Sequence, residues 1–145
     1  MEERRIGFEL RCINNLFKRT ITSKKPTELD ESIGIHGWAI KYFYENRNID
    51  VFQRDFENHF SIRRSTATNM LKLMETNGLI YRVPVPQDAR LKKIVLTDKA
   101  IMIHKQIEKN IAYIEKQISK GLSKKELDTF FNVLDKIKLN LEEIE

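Results

Sequence analysis

The chain has 145 residues, 41% of them hydrophobic, and its 26 Lys and Arg against 21 Asp and Glu leave a net charge of +5. That length is enough to bury one core and argues for a single domain; with no apolar run of roughly 18 residues and no hydrophobic leader, neither membrane spanning nor export is expected, and the cytoplasm is the expected compartment. One cysteine, Cys12, excludes an internal disulfide, and His36, His59 and His104 lack metal-ligand spacing, so neither a metal nor a cofactor is expected.

Ile6, Leu10, Ile13, Phe17 and Ile21 recur at helical intervals and predict a first helix over about 4–22, with one apolar stripe in need of a partner. Lys24, Lys25 and Pro26 break the pattern, and the polar run through Ser32 reads as a loop. A second helix is expected over about 35–45, with Trp38, Ala39, Tyr42 and Phe43 as its apolar face. After a turn at 46–48, Asp50 and Gln53 stand three apart, as in a helix-start capping pair, and open a short helix to about His59 with Phe52 and Phe56 inward. Phe60, Ser61 and Ile62 turn into a helix over about 63–76, stopped by Asn77 and Gly78.

The faces of that helix separate cleanly. Ala67, Met70, Leu71 and Met74 cover one side, while Ser65, Thr68, Asn69, Lys72 and Thr76 share the other. Two β-prone runs, 79–85 and 92–96, flank a charged stretch over 86–91 and predict a hairpin with a long tip, its proline-bearing strand at an edge because Pro84 has no ladder donor. Thr97 caps a long helix to about Lys120, with Ile103, Ile107, Ile111, Ile114 and Ile118 in one stripe, and Gly121 ends it. Ser123 and Glu126 form a capping box for a last helix in which Leu127, Phe130, Leu134, Ile137, Leu141 and Ile144 alternate at three and four. About 22 residues at roughly 1.5 Å each make helices on the order of 33 Å long, expected to project beyond the reading module and to interlock with a second copy.

The net charge is not spread along the chain. Between Ser61 and Lys99 stand eight cations (Arg63, Arg64, Lys72, Arg82, Arg90, Lys92, Lys93, Lys99) and three acids (Glu75, Asp88, Asp98), so the whole surplus lies in the helix and hairpin just described. A surplus confined to one supersecondary unit implies a polyanion-binding face, and the order helix, turn, helix, basic hairpin is that of a winged helix-turn-helix on double-stranded DNA. Ser65, Thr66, Thr68 and Asn69 are short enough to reach base edges; Arg64 and Lys72 suit phosphates, or for Arg64 a guanine. Arg90 at the hairpin tip suits the minor groove, with Asp88 orienting it and Lys92 adding charge behind. The fold class expected is mainly α with a small β-wing, an α+β chain with the winged helix-turn-helix over 33–99 and dimerisation helices over 1–22 and 100–145. A wing that contacts protein, or a nonspecific architectural DNA binder, is the competing reading. An enzyme is not expected, since Cys12 has no recognisable base partner and there is no glycine-rich phosphate loop or paired-carboxylate motif.

The run Ile62-Arg63-Arg64-Ser65-Thr66-Ala67-Thr68, then Leu71, Leu73, Glu75, Gly78-Leu79-Ile80, Asp88-Ala89-Arg90 and Leu96-Thr97-Asp98-Lys99, resembles the multiple antibiotic resistance regulator (MarR) family of bacterial transcription factors. Trp38 also falls where that family often has a tryptophan. The resemblance implies an obligate, mostly helical dimer of triangular shape on a pseudo-palindromic operator, usually a repressor, released by a small ligand or by oxidation. Carried over by position, it makes Ser65, Thr66, Thr68 and Asn69 recognition-helix contacts and Asp88 with Arg90 the wing pair. It further implies an effector site between dimer helices and reading head, where Arg11, His36, Trp38 and Tyr42 would meet a small anionic or aromatic ligand. Cys12, beside Arg11, reads first as a small hydrophobe at a packed helix and second as a redox switch of the kind some peroxide-sensing relatives carry. Arg63, Pro84 and Ala100 depart from the family pattern, standing where a small helix-capping residue, an uninterrupted strand and a glycine are usual.

Overall fold

The structure, a computed structural model, describes residues 3–24 and 36–145. The predicted loop through Ser32, the start of the second helix at Ile35 and the start of the winged segment at residue 33 lie outside the described residues. Among the described residues, six helices and two strands follow in order: α1 Ile6–Lys24, α2 Gly37–Glu45, α3 Gln53–Phe60, α4 Arg64–Thr76, β1 Ile80–Val85, β2 Asp88–Leu96, α5 Asp98–Ile118 and α6 Lys124–Ile144. The chain divides into two compact units, the first ending at Ile111 and the second running Ala112–Glu145.

In the first unit the core is built where α2, α3, α4, the hairpin and the start of α5 turn their apolar faces together: Ile40, Phe43, Val51, Phe56, Ala67, Leu71, Met74, Leu79, Ile94, Ile103 and Ile107 are among its buried side chains. Phe56 is wholly buried, its ring stacked on Phe43 at 5.3 Å. On α2, Ile40 is as deeply buried as any residue although it lies off the predicted stripe, whereas Trp38 and Tyr42 are only half-buried. Gly37 lets α2 approach α5 closely, since a Cβ there would stand 3.3 Å from Ile107 Cγ2. The α1 stripe is largely uncovered: Ile6, Leu10 and Ile13 are exposed, and Phe17 meets the ring of Trp38 at 6.2 Å.

The short connections set the angle between α3 and α4. Phe52, not Asp50, stands at the N-cap of α3; the Asp55 carboxylate accepts its N–H at 2.9 Å, so the helix begins at Gln53. The deciding group is an acid three residues inside the helix that reaches back to an orphan donor, which the Asp50–Gln53 spacing does not describe. Ser61 turns the chain in the left-handed region at φ 53°, and the N–H groups of Ser61 and Ile62 return to Asn58 and Glu57. That conformation is uncommon for a residue with a Cβ and is held by those two bonds. Arg63 then takes an extended conformation as N-cap of α4 without a side-chain cap, so α4 starts one residue later than predicted. Its stop is as predicted: Gly78 at φ 70° allows Leu79 to donate to the Met74 carbonyl at 2.9 Å.

The hairpin differs from its prediction at the tip. β2 begins at Asp88 rather than Lys92, so Pro86 and Gln87 alone connect the strands, and the register jumps from Pro84↔Lys92 to Val85↔Asp88. Residues 89–91 have no partners on β1 and form a bulge. Pro84 has no N–H for the ladder, and the irregularity falls beside it. Ile94 donates to the Val51 carbonyl at 2.7 Å along the other side of β2, which leaves β1 as the edge strand that tolerates a proline. Thr97 caps α5, accepting the Ala100 N–H at 3.2 Å and donating to the Gly78 carbonyl at 2.6 Å. One residue thereby joins the end of α4, the hairpin and the start of α5.

In the second unit, the end of α5 passes through Gly121 at φ 80° to α6. Ser123 and Glu126 exchange reciprocal hydrogen bonds of 3.1 Å, the capping box expected from their spacing. No residue of α6 is buried. Leu127, Leu134 and Ile137 are half-covered, and Phe130, Leu141 and Ile144 are exposed. No helix among the described residues is long and apolar enough to cross a membrane.

Candidate nucleic-acid interface

Because Ala67, Leu71 and Met74 hold one side of α4 in the core, the helix presents Arg64, Ser65, Thr66, Thr68, Asn69 and Lys72 outward, all exposed. Hydroxyls and an amide lie between cations, without an acid until Glu75 in the last turn. Groups this short can hydrogen-bond base edges without holding a helix out of a major groove.

The hairpin bulge aims a second set of groups. Asp88 accepts the Arg90 backbone N–H at 2.9 Å and its guanidinium at 3.3 and 3.5 Å, so one carboxylate shapes both the turn and the arginine. The Arg90 side chain is 92% exposed, and a pair so open to water adds little to stability. Its effect is on direction. Between α3, the start of α4 and the bulge lies a cavity of about 550 Å³, lined by Phe52, Gln53, Arg54, Glu57, Arg64, Arg82, Arg90, Leu91 and Lys92. Five cations against one lining acid, with Arg82 and Arg90 also paired to Glu75 and Asp88, leave it positive and suited to phosphate oxygens. Of the residues singled out in the sequence, Arg64, Arg90 and Lys92 meet in this cavity.

Gln53, Arg54 and Arg82 were not singled out as site residues. Arg82 was visible only as one of the charges in the basic window, and Arg54 lies outside that window. Arg82 is held by the Glu75 carboxylate and donates to Gln53 Oε1 at 3.4 Å; Gln53 Nε2 donates to the Thr68 hydroxyl at 2.9 Å. Lys93 pairs with Asp50 at 3.4 Å and ties the base of the hairpin to the turn before α3.

The residues suggested for an effector are dispersed. Arg11 is exposed on α1, Trp38 meets Phe17, and Tyr42 stacks on His59 at 4.3 Å within a group that includes Phe43, Phe56 and Phe60. Burial, reinforced by Asp55, raises the Tyr42 hydroxyl above its ordinary range. His36 is buried at the start of α2, its two ring nitrogens without partners among the described residues, and desolvation disfavours its cation. Sequence reasoning gave no role to His104, which is buried and stacked on Tyr44 at 4.1 Å; its proton affinity is lowered by burial and partly restored by Glu108 and Glu45. Cys12 is half-buried on α1. Among the described residues, no group of three His, Cys, Asp or Glu stands together as a metal site.

Comparison with known proteins agrees with this geometry. Residues 44–92 match the MarR family, a span from the end of α2 into β2. The chain is 23% identical over 139 residues, 96% of its length and 87% of the relative's, to YybA of Bacillus subtilis (strain 168), an uncharacterized HTH-type transcriptional regulator. Among solved structures, the transcription regulator MarR from Oenococcus oeni PSU-1 superimposes with a TM-score of 0.76 at 32% identity, covering 92% of this chain and 98% of that one. The Staphylococcus aureus MepR–DNA complex gives a TM-score of 0.80 at 22% identity, with 94% and 96% covered, a likeness of fold. With 32% identity to one such regulator across nearly its whole length, and the hairpin and polar helix face in place, the chain belongs to the MarR family of transcription regulators.

Proposed function

We propose that this regulator binds double-stranded DNA sequence-specifically as a homodimer, with α4 in the major groove and the wing against the neighbouring backbone and minor groove. The observation that carries the reading is the basic cavity beside the exposed polar face of α4. On this reading Ser65, Thr66, Thr68 and Asn69 meet base edges, and Arg64, Lys72 and Lys92 meet phosphates. Arg90, set by Asp88, enters the minor groove. MepR, a protein of the same fold, has been solved with DNA, which supports DNA binding.

Pairing of two copies is supported by apolar side chains left exposed on α1 (Ile6, Phe8, Ile13, Leu16) and on α6 (Phe130, Phe131, Leu139, Leu141, Ile144). Each contributes about 1.5–3 kcal/mol when fully buried, more than a solvated monomer leaves unused at so many positions. A twofold dimer reads a pseudo-palindrome, and a regulator seated on such an operator blocks transcription until a small anionic or aromatic ligand, or oxidation at Cys12, releases it. His36, with buried ring nitrogens lacking partners among the described residues, is the side chain best suited to answer such a ligand.

The test is a fluorescence-anisotropy titration on a duplex enriched from a random pool, against a shuffled duplex, with sedimentation of the free protein. The reading predicts a dimer and a preference of about 10³ or more for the enriched duplex. Equal affinity for both duplexes would make the chain an architectural binder, and no affinity at low salt would refute DNA binding.

A further inference from the structure

We infer that Gln53, held by Arg82 and Glu75, is a specificity-positioning residue that makes the Thr68 hydroxyl a hydrogen-bond donor toward DNA. The inference rests on the DNA-binding reading and adds to it a direction for one bond. Its basis is the chain of contacts Glu75, Arg82, Gln53, Thr68, which crosses from the last turn of α4 to β1, to the first residue of α3, and back to α4.

Chemistry fixes the polarity at every link. A guanidinium has donors only, and the Glu75 carboxylate holds Arg82 in place. The Gln53 atom facing Arg82, at 3.4 Å, is therefore the amide oxygen; the opposite amide orientation would set donor against donor. That leaves the amide nitrogen toward Thr68 at 2.9 Å, where the hydroxyl oxygen must accept. A threonine hydroxyl has one proton. With its oxygen engaged by Gln53, the proton is free for an acceptor outside the chain.

A helical threonine has a common alternative, which Thr20 and Thr76 adopt by donating to the carbonyls of Leu16 and Lys72 one turn earlier. Thr68 is bonded instead by a neighbouring helix. Thr68 and Glu75 are seven residues apart, about two helical turns, so both ends of the relay grip the same side of α4. The acceptors a duplex offers that proton are purine N7, guanine O6, thymine O4 and phosphate oxygens.

The experiment takes the duplex enriched by the wild-type protein from a random pool and measures affinity for wild type, Gln53→Met, Thr68→Val and the double variant. Matched circular dichroism and melting midpoints are required of all four, and Thr68→Ser is carried as the variant that retains the hydroxyl. Thr68→Val is expected to weaken binding about tenfold, Gln53→Met severalfold, and the double variant no more than Thr68→Val alone, while Thr68→Ser keeps both the affinity and the coupling to Gln53. If the acceptor is a base, repeating the enrichment with Gln53→Glu, which accepts the threonine proton, changes the preferred base at one position of each half-site. A Thr68→Val loss that is equal on enriched and shuffled duplexes, with the enriched sequence unchanged by Gln53→Glu, would place the acceptor on a phosphate and overturn the specificity role. Additive losses in the double variant would overturn the relay while leaving the DNA reading intact; failure of the wild-type protein to enrich any sequence would overturn both.

Discussion

Replacing Arg90 with alanine separates charge from fold more cleanly than any other single change in the wing. The side chain is 92% exposed, and among the described residues its guanidinium bonds to Asp88 two residues away, so folding stability is expected to stay as it is. Binding to DNA is a different matter. Each cation that neutralises a phosphate contributes about 0.9 to the slope of log affinity against log salt, and a dimer carries two wings, so the slope is expected to fall by about 1.8. Between roughly 50 and 200 mM salt, that difference narrows the gap between wild type and variant by about tenfold. Anisotropy titrations at four or five salt concentrations measure it directly. Asp88→Ala provides the complementary case: it removes an acid, yet affinity is expected to fall because Arg90 loses the carboxylate that directs it. An Arg90→Ala protein with wild-type affinity and slope would refute any role of the wing in DNA binding.

Phe56→Ala removes the wholly buried ring stacked on Phe43 and should cost about 3–5 kcal/mol in urea unfolding, with α3 and α4 losing their common support. Ser123→Ala removes one half of the capping box and should cost about 1 kcal/mol, seen as earlier exchange of the first amides of α6. His36 and His104 both bind protons less readily when folded than their ordinary value near 6.5, so the unfolded chain takes them up first as the pH falls. Stability is therefore expected to decline as pH drops below about 6.5 and to level off once the folded-state values are passed; His104→Phe should flatten that decline, and an unchanged profile in that variant would remove His104 as its source. Asn69→Ala should lose about 1–3 kcal/mol of discrimination between the enriched duplex and one altered at a single contacted base pair, and an equal loss on shuffled DNA would assign Asn69 to the backbone.

The elements that could be read in the sequence are those whose signal is local. Four isoleucines of the α5 stripe (Ile103, Ile107, Ile111 and Ile114), the two faces of α4, the Ser123–Glu126 pair and the stop at Gly78 each follow from residues within one or two turns and stand as read, while the fifth, Ile118, is exposed. Where pairing across elements decides, local reading falls short. Residues 88–91 are charged and look like a loop tip, yet the strand starts at Asp88 because Val85 pairs with it across a bulge. Phe52 has no capping chemistry of its own and marks the start of α3 only through Asp55. Ile40 is buried because α2 is enclosed on more than one side, and a single-stripe reading leaves it out.

The site divides the same way. Charge confined to one window and a polar face at helical spacing revealed α4 and Arg90, but the contributions of Gln53, Arg54 and Arg82 arise only when α3 and the hairpin are folded against α4. Trp38 and Tyr42 share one helix and one spacing, yet they face α1 and α3 respectively, a divergence that periodicity does not express.

Hydroxyl-radical footprinting of the protein on its enriched duplex is the most direct test of paired basic reading heads on DNA. Two protected patches on one face of the duplex, centred about one helical turn apart and related by inverted sequence, are the expected result. A single unpaired patch, or uniform cleavage at low salt, would contradict it.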